Sequence, residues 1–207
     1  RDTEGFWGEA ARELHWFKTW DRVFEWKYPD FKWFVGGETN LCYNAVDYQV
    51  LQKGRGSKAS MIWESAETGE SRKLTYNQLL DDVRGFAAAL RALGVEKGDR
   101  VTIYMPMVPE AAEAMLACTR IGAIHSVVFG GFGAAALAER IVDAGSKVLV
   151  AADVGYRRGK EVKLKEVADE ALQTPNQIEK VVVLKRASME PDMKKGRDMY
   201  WEEALDA

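Results

Sequence analysis

The sequence predicts an α/β fold built on a mainly parallel sheet that helices cover on both faces. Two observations support this prediction. After residue 76, short apolar runs rich in β-branched residues alternate with segments whose apolar residues recur at helical spacing. Glycine follows several of these helical segments, as expected where a helix ends. Apolar strands that alternate with helices are typical of a parallel sheet with helices on both faces.

The first 34 residues differ from the rest because they are dense in aromatic side chains. Four apolar residues fall on one helical face: Phe6, Ala10, Leu14 and Phe17. We expect a helix and then an irregular arm, with the rings buried against the main domain. A stacking surface for nucleic-acid bases is the alternative, which the scarcity of accompanying cations disfavours. Residues 36–56 predict a loop around a short helix. The expected regions are therefore 1–58, packed on the main domain, and 59–207, an α/β region truncated at its C-terminal end.

A hairpin and a helix open the second region. The strand-forming runs ASMIWES and SRKLTY flank a turn at Thr68 and Gly69, which predicts an antiparallel β-hairpin. Thr75 and Gln78 then have the spacing of a capping box, so a helix is expected to begin there. Apolar residues keep helical spacing up to Gly94, where the helix is expected to end.

The remaining elements alternate regularly. The runs RVTIYM, HSVVF, KVLVAAD and KVVVLKR predict four strands. A helix is expected to begin at Pro109 and end at Gly122, and the segments AAALAERIVDA and VKLKEVADEAL predict two more helices. In open α/β sheets, ligands bind beyond the carboxyl ends of the strands. The segments FGGFG and GYRRGK both follow such ends, so both are candidate binding sites.

The composition disfavours several classes of function. The net charge of −3 and the pI of about 5.6 argue against a general nucleic-acid binder. Cys42 and Cys118 lie outside any CxxC motif, which favours reduced thiols in a cytoplasmic protein. No residues have zinc-ligand spacing, so no metal site is expected, and no apolar run approaches the ~20 residues of a membrane span.

The glycine-rich segments have several chemical interpretations. GYRRGKE has too few residues between its glycines for a P-loop, and Glu161 stands where a hydroxyl is needed. Gly131, Gly133 and Ala136 approximate a dinucleotide fingerprint, with Asp153 placed to contact a ribose. A basic pocket for phosphate groups is the third interpretation, because lysine and arginine neutralise phosphates and glycine amides can approach them.

Longer segments carry a resemblance to a known family. TIYMPMVPEAAEAMLACTRIGAIHSVVFGGF (102–132) closely resembles the AMP-forming acetyl-CoA synthetases and related short-chain acyl-CoA synthetases, which are adenylate-forming enzymes. FWGEAARELHWFKTW, WFVGGETNLCYNAVD, GYRRGK and MKKGRDMYWEE resemble the family in the same order. The resemblance implies part of the large N-terminal domain of such an enzyme. Its expected reaction joins a carboxylate to CoA through an acyl-adenylate, with ATP and Mg²⁺ as cofactors and small molecules as partners.

The resemblance also implies binding residues. Arg157 and Lys160 match the positions expected to hold the nucleotide end of CoA, Arg158 and Gly159 lie between them, and Gly131 borders the same pocket. The sequence departs from the family at Tyr48, where arginine is common. It also departs after GGF, where Gly133-Ala134-Ala135 replaces Ser-Pro-Glu.

The expected catalytic groups are absent from the chain. The family's ATP-phosphate loop, ribose-binding aspartate, acyl pocket and adenylation lysine would follow Ala207, so we expect an amino-terminal fragment without catalytic residues and inactive by itself. The sequence does not distinguish acetate from other short-chain acids. Two alternatives stay open: a nicotinamide-dependent oxidoreductase domain of the Rossmann type, and a non-catalytic nucleotide-binding module.

Overall fold

The structure, a computed structural model, describes residues 2–206. It divides into two compact units, Arg1–Arg55 and Gly56–Ala207. In the described residues, no helix combines the length and the apolar character needed to cross a bilayer.

The described part of the first unit contains two helices, one hairpin and one π-helical turn. Helix α1 spans Thr3–Ala11 and begins at Asp2, whose side chain accepts a hydrogen bond from the Gly5 amide. Strands β1 (Arg22–Lys27) and β2 (Asp30–Val35) form an antiparallel hairpin. A π-helical turn, Tyr43–Asp47, then leads into α2, Tyr48–Leu51. The sequence predicted an irregular arm in place of the hairpin, and this detail was wrong.

The predicted helical face also differs from the structure. Helix α1 ends before Leu14 and Phe17, so these residues cannot share its face with Phe6. All three side chains are exposed, Phe6 to 64%. Other rings of this unit contact one another, as Trp16 does with Trp20 at a centroid distance of 4.9 Å. The packing of residues 1–58 on the α/β region stays a prediction.

The second unit opens with the predicted hairpin, which is confirmed. Strands β3 (Ala59–Glu64) and β4 (Ser71–Thr75) pair antiparallel, with Trp63 opposite Arg72. The connecting loop is closed by its own hydrogen bonds, because the amides of Ser65 and Gly69 donate to the carbonyls of Glu70 and Ser65.

A five-stranded parallel sheet forms the centre of this unit. Its strands are β5 (Arg100–Met105), β6 (Ile124–Phe129), β7 (Val148–Ala152), β10 (Lys180–Leu184) and β11 (Asp198–Tyr200). The order across the sheet is β11-β10-β7-β5-β6, and every neighbouring pair is parallel. The four predicted strands are confirmed, whereas β11 was not predicted. A strand of three residues is too short to show a pattern of its own.

Four helices connect or flank these strands, and a short fifth helix follows β11. They are α3 (Tyr76–Ala92), α4 (Pro109–Ile121), α5 (Ala134–Ala144), α6 (Leu164–Ala171) and α7 (Trp201–Leu205). The Thr75–Gln78 capping box is present at the start of α3. Gly122 has a left-handed φ of 78° at the end of α4, which glycine adopts without steric cost. Helix α3 packs against α4 and α7, and α5 packs against α6.

The core lies between the sheet and these helices. The central strands β5, β7 and β10 are almost entirely buried. Phe86 on α3 is fully buried and stacks on Trp201 of α7, with ring centroids 3.9 Å apart. Cys42 and Cys118 are buried free thiols, as predicted. Burial raises the pKa of Cys118 to about 12, so this thiol stays protonated.

One buried carboxyl group stands out in α4. Glu113 is 3% exposed, and its Oε1 has no hydrogen-bond partner among the described residues. Desolvation raises its pKa to about 8, and the carboxylates of Glu110 and Asp82 act in the same direction. Arg72 opposes the shift but forms its ion pair with Glu110. Glu113 is therefore mostly protonated at neutral pH.

Candidate functional site

The candidate site lies at the carboxyl edge of the parallel sheet. The chain leaves β5 towards β6 on one side and leaves β7 towards β10 on the other, so the connections diverge between β5 and β7. Such divergence opens a crevice in which α/β proteins bind ligands. A pocket of about 660 Å³ occupies this region, and it is lined by residues from the ends of β5 and β6 and from the segment 155–157 that follows β7.

The loop after β6 forms one wall of the pocket. The buried Tyr104 hydroxyl donates a hydrogen bond to the Phe132 carbonyl at 2.7 Å, which ties the loop to β5. Burial raises the pKa of Tyr104, so the phenol keeps the proton that it donates. A side chain on Gly130 would approach the Met105 carbonyl to 3.3 Å. Loop and strand are therefore in close contact.

Gly131 and Arg157 meet in this wall, as the resemblance implied. A Cβ atom on Gly131 would overlap the Phe129 ring and lie 3.1 Å from Nη1 of Arg157. The Arg157 guanidinium also faces the Phe129 ring, 5.8 Å from its centroid, in a cation–π arrangement. The absence of a side chain at Gly131 thus leaves the space in which Arg157 and Phe129 lie together.

The segment GYRRGK forms a two-stranded hairpin. Strands β8 (Gly155–Arg157) and β9 (Lys160–Val162) pair antiparallel, with Arg157 directly opposite Lys160. Arg158 and Gly159 make the turn with φ angles of 52° and 70°. Positive φ at both central residues is typical of a type I′ turn, which fits the twist of the flanking strands. The turn therefore places the side chains of Arg157 and Lys160 beside each other.

Gly155 has a different role from Gly159. A Cβ on Gly155 would approach Cδ1 of Leu164 to 3.3 Å and Cβ of Pro106 to 3.5 Å. Gly155 thus allows close packing of β8 on its neighbours, whereas Gly159 uses the left-handed conformation.

The structure brings only some of the predicted residues into the pocket. Gly131 and Arg157 line it, while Arg158, Gly159 and Lys160 lie on the adjoining exposed turn. Within residues 2–206, none of the three cations forms an ion pair. Their positive charge is therefore available to an anion from solution.

Sequence reasoning missed Arg186. Its guanidinium lies 5.3 Å from the Tyr156 ring centroid, and Nη2 is 3.8 Å from a carboxylate oxygen of Glu70. Arg186 lines the pocket. The available signal was its place at the end of the run KVVVLKR, the same kind of position that singled out GYRRGK.

Sequence reasoning also missed Glu67, in the loop between β3 and β4. Its two carboxylate oxygens accept hydrogen bonds from the backbone amides of Arg158 and Gly159, at 2.8 and 2.7 Å. These bonds, from Gly159 first and Arg158 second, lower the pKa of Glu67. The contact joins segments more than ninety residues apart, and local sequence gives no sign of it.

Asp153 has a structural role. It lies just after β7, is 3% exposed, and accepts hydrogen bonds from the amides of Val154, Arg186 and Ala187 at 2.6–2.9 Å. Its carboxylate joins the ends of β7 and β10. The oxidoreductase alternative needs this group free to bind a ribose, so the structure argues against that alternative.

The described part of the chain holds no group of three or more His, Cys, Asp or Glu side chains arranged to bind a metal ion. The anion-binding features of the site are its cations and its backbone amides.

Comparison with known proteins identifies the family. A family model described as AMP-binding enzyme matches residues 48–204, which include every residue of the site described above. The chain belongs to the AMP-binding enzyme family. A second family model, described as the N-terminus of acetyl-coenzyme A synthetase, matches residues 1–45. The boundary between the two matches, at residues 45–48, lies within the first compact unit, which extends to Arg55.

Individual relatives are similar to the chain along nearly all of its length. It is 56% identical to an acetyl-coenzyme A synthetase of Rubrobacter xylanophilus and 54% identical to that of Deinococcus radiodurans, over 99% and 98% of the chain. It is 52% identical, over 98% of the chain, to a 3-hydroxypropionyl-coenzyme A synthetase of Sulfurisphaera tokodaii. The chain spans only 31–32% of the length of these relatives.

Proposed function

We propose that this chain is the amino-terminal part of an AMP-forming short-chain acyl-CoA synthetase, with acetate as the first substrate to test. The family match and the names of the relatives support the activity. One relative is named for 3-hydroxypropionate, so acetate and 3-hydroxypropionate should be compared directly. The protein would be cytoplasmic, with small molecules as its partners.

The proposed reaction has two steps. The carboxylate oxygen attacks the α-phosphorus of ATP, which forms the acyl-adenylate and releases pyrophosphate. The CoA thiol then attacks the acyl carbon, and AMP leaves. Mg²⁺ would accompany ATP, as it does in phosphoryl-transfer enzymes generally. The groups that perform these steps would come from outside this chain, which would be inactive alone. Pyrophosphate exchange by the 207-residue chain above a buffer blank would contradict that statement.

Within the whole enzyme, we propose that this chain contacts the nucleotide of CoA. The observation that carries the proposal is the pairing of Arg157 with Lys160 across β8 and β9, beside Gly131. Two adjacent cations without internal ion pairs suit the phosphate groups of a nucleotide. Arg158 and Gly159 would contribute from the turn. The carboxyl edge of the sheet is also where the fold favours ligand binding.

We also propose that helices cover both faces of the parallel sheet. Parallel strands are joined by right-handed crossovers, and the chain reverses its direction across the sheet between the β5–β6 and the β6–β7 connections. Helices α4 and α5 would therefore cover opposite faces. The packing of α3 against both α4 and α7, and of α6 against α5, supports two helix layers. Residues 1–58 would pack on this α/β region, 59–207.

Kinetics of the full-length protein test the site. Arg157→Ala and Lys160→Ala should each raise KM for CoA about two- to fivefold, as expected for ~0.5–1 kcal/mol from an exposed charge. The effect should shrink at high salt, which screens exposed charges. Pyrophosphate exchange needs no CoA and should hardly change. Dephospho-CoA, which lacks one phosphate, should have a higher KM than CoA with the wild type. The variants should raise the KM for dephospho-CoA by a smaller factor than the KM for CoA.

Lys163→Ala is the matched control, because Lys163 is an exposed cation nearby that pairs with Glu166 at 2.7 Å. Its KM for CoA should be unchanged. If Arg157→Ala and Lys160→Ala impair pyrophosphate exchange while KM for CoA stays constant, these residues serve ATP or folding. If the full-length protein forms no acyl-adenylate at all, the alternative of a non-catalytic nucleotide-binding module is favoured.

A further inference from the structure

The turn between β8 and β9 exposes two consecutive backbone amides, those of Arg158 and Gly159. Consecutive amides in such a turn make a concave site that binds anions. In this structure a side chain already occupies it, because Glu67 accepts a hydrogen bond from each amide with a different carboxylate oxygen. The turn is thereby fastened to the loop between β3 and β4.

The loop between β3 and β4 is held in place by its own hydrogen bonds. The Ser65 amide donates to the Glu70 carbonyl at 2.9 Å, and the Gly69 amide donates to the Ser65 carbonyl at 2.8 Å. The Thr68 amide also donates to the Ser65 hydroxyl at 3.2 Å. Glu67 lies inside this hydrogen-bonded loop, so its carboxylate is presented from a fixed position.

The turn, in contrast, has little support from strand pairing. Strands β8 and β9 have only three residues each and pair only with each other. A hairpin this short is marginally stable without packing around it. Its cross-strand pair next to the turn is Arg157 and Lys160, the two cations of the proposed nucleotide site.

We propose that Glu67 is a positioning residue for CoA binding: by holding the amides of Arg158 and Gly159, it fixes the turn that places Arg157 and Lys160 against the phosphates. The inference rests on the proposed function, since it needs those two cations to contact CoA. The Glu67 carboxylate accepts hydrogen bonds from the two amides and forms no ion pair with the cations. It therefore orders the turn without neutralising the charges of Arg157 and Lys160. When binding groups are held rigidly before the ligand arrives, less conformational entropy is lost on binding, and the affinity is higher.

The sign of the effect distinguishes positioning from simple electrostatics. Removing a negative charge beside a phosphate site should lower KM for CoA if long-range repulsion is what matters. If Glu67 positions the turn, Glu67→Ala should raise KM for CoA about three- to tenfold. Glu67→Gln keeps one acceptor oxygen but turns an amide group towards the other donor, so its effect should be intermediate. Pyrophosphate exchange should be unchanged in both.

Glu161→Ala is the matched control, because Glu161 is an exposed carboxylate on β9 of the same hairpin and contacts neither turn amide. It should leave KM for CoA unchanged or lower it. Amide hydrogen exchange of residues 155–162 in the full-length protein gives an independent readout. Exchange there should accelerate in Glu67→Ala and not in Glu161→Ala, while the unfolding temperature stays that of the wild type.

The outcomes separate the inference from the proposed function. An unchanged KM for CoA in Glu67→Ala, with a raised KM in Arg157→Ala, overturns the inference alone. A lowered KM in both Glu67→Ala and Glu161→Ala also overturns it, in favour of electrostatic repulsion. An unchanged KM in Arg157→Ala and Lys160→Ala overturns the proposed function and the inference with it.

Discussion

Adding a single methyl group at Gly131 tests whether the loop after β6 positions Arg157. A Cβ at this position would overlap the Phe129 ring and lie 3.1 Å from Nη1 of Arg157. The ring must move by about 1 Å to regain an ordinary carbon–carbon separation of ~3.5 Å. Phe129 is 60% exposed, so it can move at little cost to stability. Its movement, however, removes the surface on which the Arg157 guanidinium rests.

The expected magnitude follows from that contact. An exposed cation–π interaction contributes about 0.5–1 kcal/mol, which corresponds to a two- to fivefold change in an equilibrium constant. Gly131→Ala should therefore raise KM for CoA about two- to fivefold in the full-length protein, with pyrophosphate exchange nearly unchanged.

Gly133→Ala is the control for this experiment, since it adds the same methyl group in the same loop with no atom within 4 Å of it. Its KM for CoA should equal that of the wild type. Equal values of KM for both variants, or a loss of pyrophosphate exchange in Gly131→Ala, would refute the reasoning.

The remaining predictions concern stability, measured by denaturant unfolding of the 207-residue chain. The folded-state pKa of Glu113 is raised from 4.5 to about 8, so its protonated form stabilises the fold at low pH and this contribution is lost between those values as pH rises. Glu113→Gln should remove this decline and be more stable than the wild type at pH 8 by about 1–3 kcal/mol; parallel pH profiles would contradict this. Phe86→Ala should destabilise by about 3–5 kcal/mol because it empties the stack on Trp201, and a loss below ~1 kcal/mol would count against that packing. Gly85→Ala, inside α3, should stabilise by about 0.5–1 kcal/mol, and a loss of stability would show that the added methyl group does not fit.

The sheet was predictable because its signals are local. Strand β5 is a short apolar run with helices on both sides, and Gly122 and the Thr75 cap mark helix ends through backbone chemistry that operates within a few residues. The hairpin β1–β2 was missed although its aromatic residues favour strands. The helical spacing that begins at Phe6 suggested a longer helix than the nine residues of α1. Periodicity over so few residues does not distinguish a continuing helix from chance.

The candidate site was predictable only in part. The segments FGGFG and GYRRGK were singled out because each follows the end of a strand, and parallel strands end at one edge of the sheet. The family resemblance then pointed to Gly131 and Arg157 within them, and both line the pocket. Arg186 has the same kind of position and was overlooked. Glu67 could not be found this way, because its contact depends on how two hairpins distant in sequence come together.

The placement of Glu67 changes how the basic turn should be understood. A carboxylate close to three cations would ordinarily be expected to pair with one of them and cancel part of their charge. Here the Glu67 carboxylate accepts hydrogen bonds from the backbone amides of the turn instead, so the charges of the cations are not neutralised. Because both amides already donate to Glu67, they cannot bind a second anion. The proposed recognition of phosphate must then come from side chains, above all Arg157 and Lys160. Exposed side-chain charges bind weakly and are screened by salt, so the geometry in which they are held contributes much of their selectivity. If Glu67 positions the turn as proposed, a residue with the wrong charge for a phosphate site strengthens phosphate binding there by holding the binding groups in place.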